Sequence, residues 1–158
     1  DSLYWDINFP PQAMSVYVKF DLLTGIGTGD GVALFGSTNS GTNPRLMLYS
    51  NATAMTALYH DGVTQVTVSA TAAPSINDTI EICAVLSTAG SLTLHQSINS
   101  ATATTATASS TAMTIASTWA DWRLWYNSRG ATDRGQSRLY ALKVHTGARS
   151  LDYMRALS

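Results

Sequence analysis

The sequence predicts an all-β domain built as a sandwich of two antiparallel sheets. Three observations support this fold class. Short apolar segments alternate with polar residues at a period of two, turn residues interrupt them at intervals of roughly 8–12 positions, and helical periodicity is nearly absent. The 158 residues suffice for a substantial core and exceed the roughly 100 residues of an immunoglobulin domain. We therefore expect residues 1–158 to form a single domain.

The first half of the chain alternates most clearly between Met14 and Phe20, where every second residue is apolar. A glycine-rich segment, Thr24 to Gly31, follows and is predicted to be a turn. Asp61-Gly62 lies between two β-prone segments and indicates a hairpin. Four further strands are expected in this half, at Val32–Phe35, Arg45–Ser50, Met55–His60 and Val63–Ser69.

The second half contains a further expected hairpin, turning at Ala89-Gly90. Its remaining strands are expected at Thr79–Leu86, Ser91–Ile98, Trp122–Asn127 and Ser137–His145. The Ala/Thr/Ser-rich segment Ala101 to Thr118 has the composition of a linker, but its length favours an exposed strand pair. Leu151 to Leu157 is expected to close the domain with one helical turn, capped by Ser150.

Charge is scarce and unevenly distributed. Charged residues make up 12% of the chain, against roughly 25% in ordinary soluble domains, and the net charge is −1. Seven basic residues and two aspartates follow position 122, whereas two basic and eight acidic residues precede it. We expect the late arginines to pair with carboxylates elsewhere in the fold. Neither nucleic acid nor a membrane is predicted as a partner, because the arginines are scattered and no apolar segment is long enough to span a bilayer.

The order of the strand patterns resembles the concanavalin A-like lectin/glucanase superfamily, in its laminin G-like branch. The resemblance is carried by an opening strand at Met14–Phe20, the Leu34-Phe35-Gly36 strand, the hairpin of Ile80–Leu86 with Ser91–His95, and the close at Arg138–Val144. It covers nearly the whole chain and implies a jelly-roll sandwich.

Two further segments, Phe9–Val18 and Leu94–Asn99, resemble domains of phage and prophage structural proteins. This second resemblance implies a virion protein, located on the particle surface and assembled in the host cytoplasm. Its partners would be other virion proteins or further copies of the chain, with glycan as an additional ligand.

Catalytic chemistry is not evident in the sequence. Glucanases of this superfamily use two carboxylates on one sheet face, which residues i and i+2 of a strand supply. Glu81 is the only glutamate, positions 79 and 83 are not acidic, and no other acidic pair has that spacing. Cys83 lies in an apolar segment and is expected to be a buried thiol. Asp30 between glycines suits a turn better than a calcium site. We predict no enzyme, no cofactor and no metal.

A binding surface is the alternative use of such a fold. Aromatic rings flanked by amide and charged groups are suited to sugar recognition, because a ring stacks on the apolar face of a sugar while polar neighbours bond its hydroxyls. The residues predicted to point outward and to bind a glycan or partner protein are Tyr49, His95, Trp125 and Asn127. Covered packing positions are the competing interpretation of each. The sequence thus predicts a virion structural domain, with a free-standing lectin module as the alternative and a glycoside hydrolase as the least favoured class.

Overall fold

The computed structural model describes residues 3–5, 13–23, 28–35, 44–51, 53–88, 90–115, 122–124 and 137–157. Eleven strands and one helix lie in these ranges. The strands are β1 (Leu3–Trp5), β2 (Met14–Leu22), β3 (Thr28–Phe35), β4 (Arg45–Asn51), β5 (Met55–His60), β6 (Gln65–Ser69), β7 (Thr79–Leu86), β8 (Ser91–Ile98), β9 (Thr104–Ser109), β10 (Trp122–Leu124) and β11 (Ser137–Thr146), and the helix is α1 (Leu151–Ala156).

The strands form two antiparallel sheets. The six-stranded sheet has the order β1-β10-β3-β4-β5-β6, and the five-stranded sheet has the order β11-β2-β7-β8-β9. Strands β5 and β6 pack over β7, β8 and β9, which makes the two sheets the layers of a sandwich. The predicted two-sheet sandwich is confirmed.

The core lies between the sheets and follows from the alternation in the sequence. On β2 every second residue is buried between the sheets: Met14, Val16, Val18, Phe20 and Leu22. The residues between these five face outward. The alternation of apolar and polar residues predicts seven core residues: Leu46, Leu48, Ile80, Ile82, Leu92, Leu94 and Leu124. The first six are confirmed there, with no more than 1% of their surface exposed. The side chain of Leu124, a seventh, lies outside what the structure describes.

Two sequence predictions about elements were wrong. The glycine-rich segment is not wholly a turn, because β3 already begins at Thr28; its pairing with β4 shifts register on both sides of Gly31. Glycine within a strand commonly marks such irregularities. The described part of the Ala/Thr/Ser segment, residues 101–115, contains one strand, Thr104–Ser109, rather than a pair, and residues 110–115 continue without regular structure.

The hairpin at Asp61-Gly62 is confirmed and is held by the Asp61 carboxylate. One carboxylate oxygen accepts hydrogen bonds from the backbone N–H of Val63 at 2.8 Å and of Thr64 at 2.6 Å. The other accepts from the backbone N–H of Thr114 at 2.9 Å and from its hydroxyl at 3.1 Å. Asp61 therefore joins the β5–β6 turn to the segment that follows β9. Burial pushes the pKa of Asp61 upward, but these hydrogen bonds outweigh it and lower the pKa to about 2.

Replacement of this carboxylate is expected to change how stability depends on pH. A depressed pKa means that Asp61 stabilises the fold fully above its ordinary value of 3.8, and that this contribution is lost as the pH falls through about 2. Because the side chain is partly exposed, we expect a contribution of about 1–2 kcal/mol. Urea unfolding of Asp61→Asn between pH 2 and 5 should show a flatter profile than the parent protein. Parallel profiles would contradict this role.

Helix α1 covers part of the outer face of the five-stranded sheet. Ser150 caps it as expected, since its hydroxyl oxygen accepts the backbone N–H of Tyr153 at 3.2 Å. Leu151 and Met154 pack on Tyr17 and Cys83. The thiol is fully buried and its pKa is raised to about 12 by that burial, which confirms the expected buried cysteine. No helix in the described part of the chain is long and apolar enough to cross a membrane.

Candidate binding site

Of the four residues predicted to bind a ligand, the structure describes Tyr49 and His95, and these two lie on different sheets. Tyr49 lies on the outer face of the six-stranded sheet, packed on Met47 and Leu58. His95 lies on the outer face of the five-stranded sheet, where it pairs with Cys83 of β7 and its Nδ1 is 2.9 Å from the Thr105 hydroxyl. Trp125 and Asn127 lie outside the described residues. Because Tyr49 and His95 lie on opposite sides of the sandwich, one ligand surface cannot contain both. Ligand binding by either stays a prediction.

A different feature stands out on the five-stranded sheet. An open groove of about 670 Å³ lies where strands β2, β7 and β11 meet the turn after β8. It is lined by polar side chains, one aromatic ring and one alanine: Lys19, Thr79, Asn99, Ser100, Tyr140 and Ala141.

Tyr140 owes its position in the groove to a β-bulge. Leu139 pairs with Phe20 and Ala141 pairs with Lys19, so Tyr140 is an additional residue without a partner in the register of β2 and β11. A bulge re-aims the side chain at that position. The Tyr140 side chain is consequently 52% exposed, the largest exposure among the described tyrosines.

Asp21 fixes the orientation of this ring. The Tyr140 hydroxyl donates to one carboxylate oxygen of Asp21, and the Thr79 hydroxyl donates to the other at 2.7 Å. Arg138 Nη1 lies 3.8 Å from Asp21. The hydrogen bonds from Tyr140 and Thr79, followed by the charge of Arg138, lower the pKa of Asp21. The carboxylate therefore stays ionised and continues to accept the hydrogen bonds of both hydroxyl groups at neutral pH.

The opposite wall of the groove is the turn after β8. Asn99 and Ser100 both adopt positive φ, at 52° and 62°, a conformation that asparagine tolerates better than most residues. The Asn99 side chain holds the turn against β7, since its Oδ1 accepts the Thr79 backbone N–H at 2.9 Å and its Nδ2 donates to Asp78 at 2.6 Å. Within the described part of the chain, the Ser100 hydroxyl has no hydrogen-bond partner.

The floor of the groove is anchored by an ion cluster. Lys19 Nζ lies 3.0 Å from one oxygen of Glu81, and Arg155 Nε of helix α1 lies 2.7 Å from the other. Burial pushes the pKa of Glu81 upward, but the hydrogen bonds from Lys19 and Arg155 outweigh it and lower the pKa. Arginines near the C-terminal end of the sequence were expected to pair with carboxylates elsewhere in the fold. This is confirmed for Arg155, which pairs with Glu81, and for Arg138, which pairs with Asp21.

The sheet register also brings together two acidic residues that no single strand contains. Asp21 pairs with Thr79, and Lys19 pairs with Glu81, so Asp21 and Glu81 are diagonal neighbours on the outer face. The spacing rule applied to the sequence considers residues i and i+2 of one strand, so it could not find this pair, which arises from the pairing of β2 with β7. Among the described residues, no group of three or more His, Cys, Asp or Glu side chains could hold a metal ion.

One feature of the sequence does indicate the bulge at Tyr140, although simple alternation does not. Leu139 and the pair Leu142 and Val144 all face the core side, yet Leu139 is odd-numbered and the other two are even-numbered. A strict period of two cannot place them on one face, so an additional residue must lie between them. The change of parity therefore marks the bulge.

Comparison with known proteins places the fold. No protein-family model matches the sequence, and no curated protein matches it either. Solved structures do match. The carbohydrate-binding module CBM40 of the Ruminococcus gnavus IT-sialidase, bound to α2,3-sialyllactose, aligns with a TM-score of 0.68 at 12% identity, over 98% of this chain and 91% of that one.

Two further structures agree. Domains LG4-5 of the mouse laminin α1 chain align with a TM-score of 0.64 at 9% identity, over 96% of this chain and 40% of that one. The PL-14 alginate lyase of Aplysia kurodai aligns with a TM-score of 0.58 at 12% identity, over 92% and 82% of the two chains. The chain therefore has a concanavalin A-like jelly-roll fold, as the resemblance in its sequence implied.

Proposed function

We propose that this chain is a non-catalytic carbohydrate-binding module whose sugar site is the groove around Tyr140. The observation that carries the proposal is an aromatic ring that is half exposed, while its hydroxyl is already fixed by Asp21. Such a ring offers an apolar face at a set angle, and polar groups stand on the walls beside it. This combination is the one that stacking on a sugar ring requires.

The fixed ring favours affinity for a simple reason. Binding costs free energy when a mobile side chain must be ordered, by about 0.5–1.5 kcal/mol for each such side chain. The bulge and the hydrogen bond to Asp21 order Tyr140 before a ligand arrives. Most of that cost is therefore already met by folding.

The walls supply partners for sugar hydroxyls. Lys19 Nζ carries three hydrogens, and one of them bonds to Glu81. Asn99 Nδ2 carries two hydrogens, and one of them bonds to Asp78. The remaining hydrogens can bond to sugar hydroxyls. The Ser100 hydroxyl can both donate and accept. These groups stand in one groove with Tyr140, so a single ring stacked on the tyrosine can reach several of them.

The comparisons support the carbohydrate-binding part of this proposal at the level of the fold. One similar structure is a carbohydrate-binding module solved with a bound sugar, and another is named an alginate lyase. Their identities of 12% give no residue of this chain a role.

Two features support a non-catalytic role despite the diagonal pair of Asp21 and Glu81. Glycoside hydrolysis needs one carboxylic acid that stays protonated near neutral pH, which requires a raised pKa. Both carboxylates instead have lowered pKa values. Both oxygens of each one also already accept hydrogen bonds or ion pairs. We expect no sugar release from a polysaccharide panel; release that Asp21→Asn abolishes would overturn this part of the proposal.

Tyr140→Ala is the variant that tests the site. Loss of the stacking ring should weaken binding of the best ligand from a glycan array at least about tenfold, which corresponds to about 1.4 kcal/mol. Tyr153→Ala is the matched control, because Tyr153 is also an exposed tyrosine (41%) but belongs to helix α1 outside the groove. Its affinity should stay within about twofold of the parent protein. Isothermal titration calorimetry measures both.

Other outcomes would redirect or end the proposal. Binding that is indifferent to Tyr140→Ala but lost in Tyr49→Ala or Trp125→Ala would assign the sugar site to residues predicted from the sequence instead. Absence of binding to every glycan at millimolar concentration would retire the carbohydrate-binding function.

A structural role in a phage virion is the second candidate, compatible with the first. The observation that favours it is the scarcity of charge together with exposed apolar side chains beside the groove. Leu23 is 39% exposed and Ile76 is 55% exposed, and backbone hydrogen bonds between Leu22 and residues Asn77 and Asp78 bring their segments together. Contact surfaces are poor in Lys and Glu and contain such groups. A strictly monomeric mass in light scattering, with no binding to other particle proteins, would count against this role.

A further inference from the structure

We infer that the groove around Tyr140 selects uncharged sugars and discriminates against glycans that carry carboxylate or sulfate groups. The inference rests on the proposed function and adds the chemical class of the ligand. It follows from how the charges at the groove are already paired.

Lys19, the cation that lines the groove, already has a carboxylate partner. Lys19 Nζ is 3.0 Å from Glu81, whose side chain is only 9% exposed. An acidic sugar that took Lys19 as its partner would have to compete with this carboxylate. Glu81 cannot move out into water to make room, because β7 holds it and Arg155 binds its other oxygen at 2.7 Å. A buried carboxylate that loses a partner is strongly disfavoured.

Two more carboxylates, those of Asp21 and Asp78, accept the hydrogen bonds that shape the groove. Asp21 accepts hydrogen bonds from the hydroxyl groups of Tyr140 and Thr79, and Asp78 accepts one from Asn99 Nδ2 at 2.6 Å. An anionic ligand stacked on Tyr140 would therefore approach two negative charges, which like-charge repulsion disfavours.

Arg138 does not offset this repulsion freely, since it lies 3.8 Å from Asp21 and shares its charge with that residue. Each of the three cations already has a carboxylate partner: Lys19 and Arg155 share Glu81, Arg155 also pairs with Asp152, and Arg138 pairs with Asp21. Recognition of a carboxylate or sulfate requires a cation whose charge is not already matched, and guanidinium is best suited to it. Neutral hydroxyl groups, in contrast, need only the donors and acceptors that remain.

The test uses the parent protein on an array in which each neutral glycan stands beside its sialylated, sulfated or uronate counterpart. We expect the neutral member of a pair to bind at least about fivefold more strongly. The dissociation constant of the best neutral ligand should change less than about twofold between 50 and 500 mM NaCl, because no ion pair forms on binding. Asp21→Asn removes one of the two negative charges and should raise the ratio of acidic to neutral binding.

The outcomes separate the inference from the proposed function. Preference for acidic glycans that weakens with salt, and that Tyr140→Ala abolishes, overturns the uncharged-ligand inference and leaves carbohydrate binding standing. Failure of every glycan to bind overturns both. An unchanged ratio in Asp21→Asn, with the fold intact by circular dichroism, also counts against the inference.

Discussion

Glu81→Gln is expected to lower the free energy of unfolding by about 3 kcal/mol, because it removes the only charge that Lys19 and Arg155 share. Glutamine has nearly the same shape, so packing is preserved and the loss reports the charge. Breaking a buried ion pair costs about 3–5 kcal/mol, and we take the low end because both cations keep roughly a third of their side-chain surface exposed (35%). Urea unfolding at pH 7 measures the change.

Asp152→Asn is the matched control for Glu81. Asp152 also pairs with Arg155, at 3.5 Å, but its side chain is 91% exposed. Exposed pairs contribute about 0–1 kcal/mol, so this variant should stay close to the parent protein. Equal losses in the two variants would show that burial of the cluster contributes nothing, and a loss below about 0.5 kcal/mol in Glu81→Gln would contradict the anchoring role.

Gly90→Ala is expected to cost about 2–4 kcal/mol, for two reasons that add. Gly90 turns the chain from β7 into β8 at φ +74°, a conformation that costs an alanine about 1–2 kcal/mol. A Cβ at this position would also lie 2.7 Å from the backbone oxygen of Ser110, and that oxygen is not the flexible end of a side chain. The residues after β9 would have to move.

Gly147→Ala separates these two reasons. Gly147 has a similar φ of +87°, but a Cβ there meets nothing within 4 Å. This variant should show the conformational cost alone, about 1–2 kcal/mol. Thermal unfolding of both variants measures the difference. If they are destabilised equally, the contact of Gly90 with Ser110 does not constrain the fold.

Much of the fold could be predicted from alternation, because each strand buries one face. Strand β5 (Met55–His60), strand β7 (Thr79–Leu86) and strand β8 (Ser91–Ile98) begin and end where the sequence indicated. The pattern is strong there because one row of each strand enters the core. The pairing of β1 with β10 and of β10 with β3 could not be predicted, since it joins distant segments whose registers leave no local pattern.

The candidate site could not be predicted for the same physical reason. Tyr140 enters the groove through a bulge, which breaks the period of two on which the prediction depended. Asp21 and Glu81 become neighbours only through the register of two strands. Outward position also did not mean exposure, because Tyr17 and Glu81 point away from the core and are nevertheless buried, at 3% and 7%. Helix α1 packs on Tyr17 there, and its Arg155 binds Glu81.

The most direct test is a titration of the ¹⁵N-labelled protein with its best neutral oligosaccharide, followed through backbone amide shifts. We predict that the largest shifts fall on the residues of the groove, among them Lys19, Thr79, Asn99 and Ala141, and that they saturate with one dissociation constant. Amides around Tyr49, on the other sheet, should not move. Shifts concentrated around Tyr49, or none at saturating sugar, would contradict the assignment of the groove as the binding site.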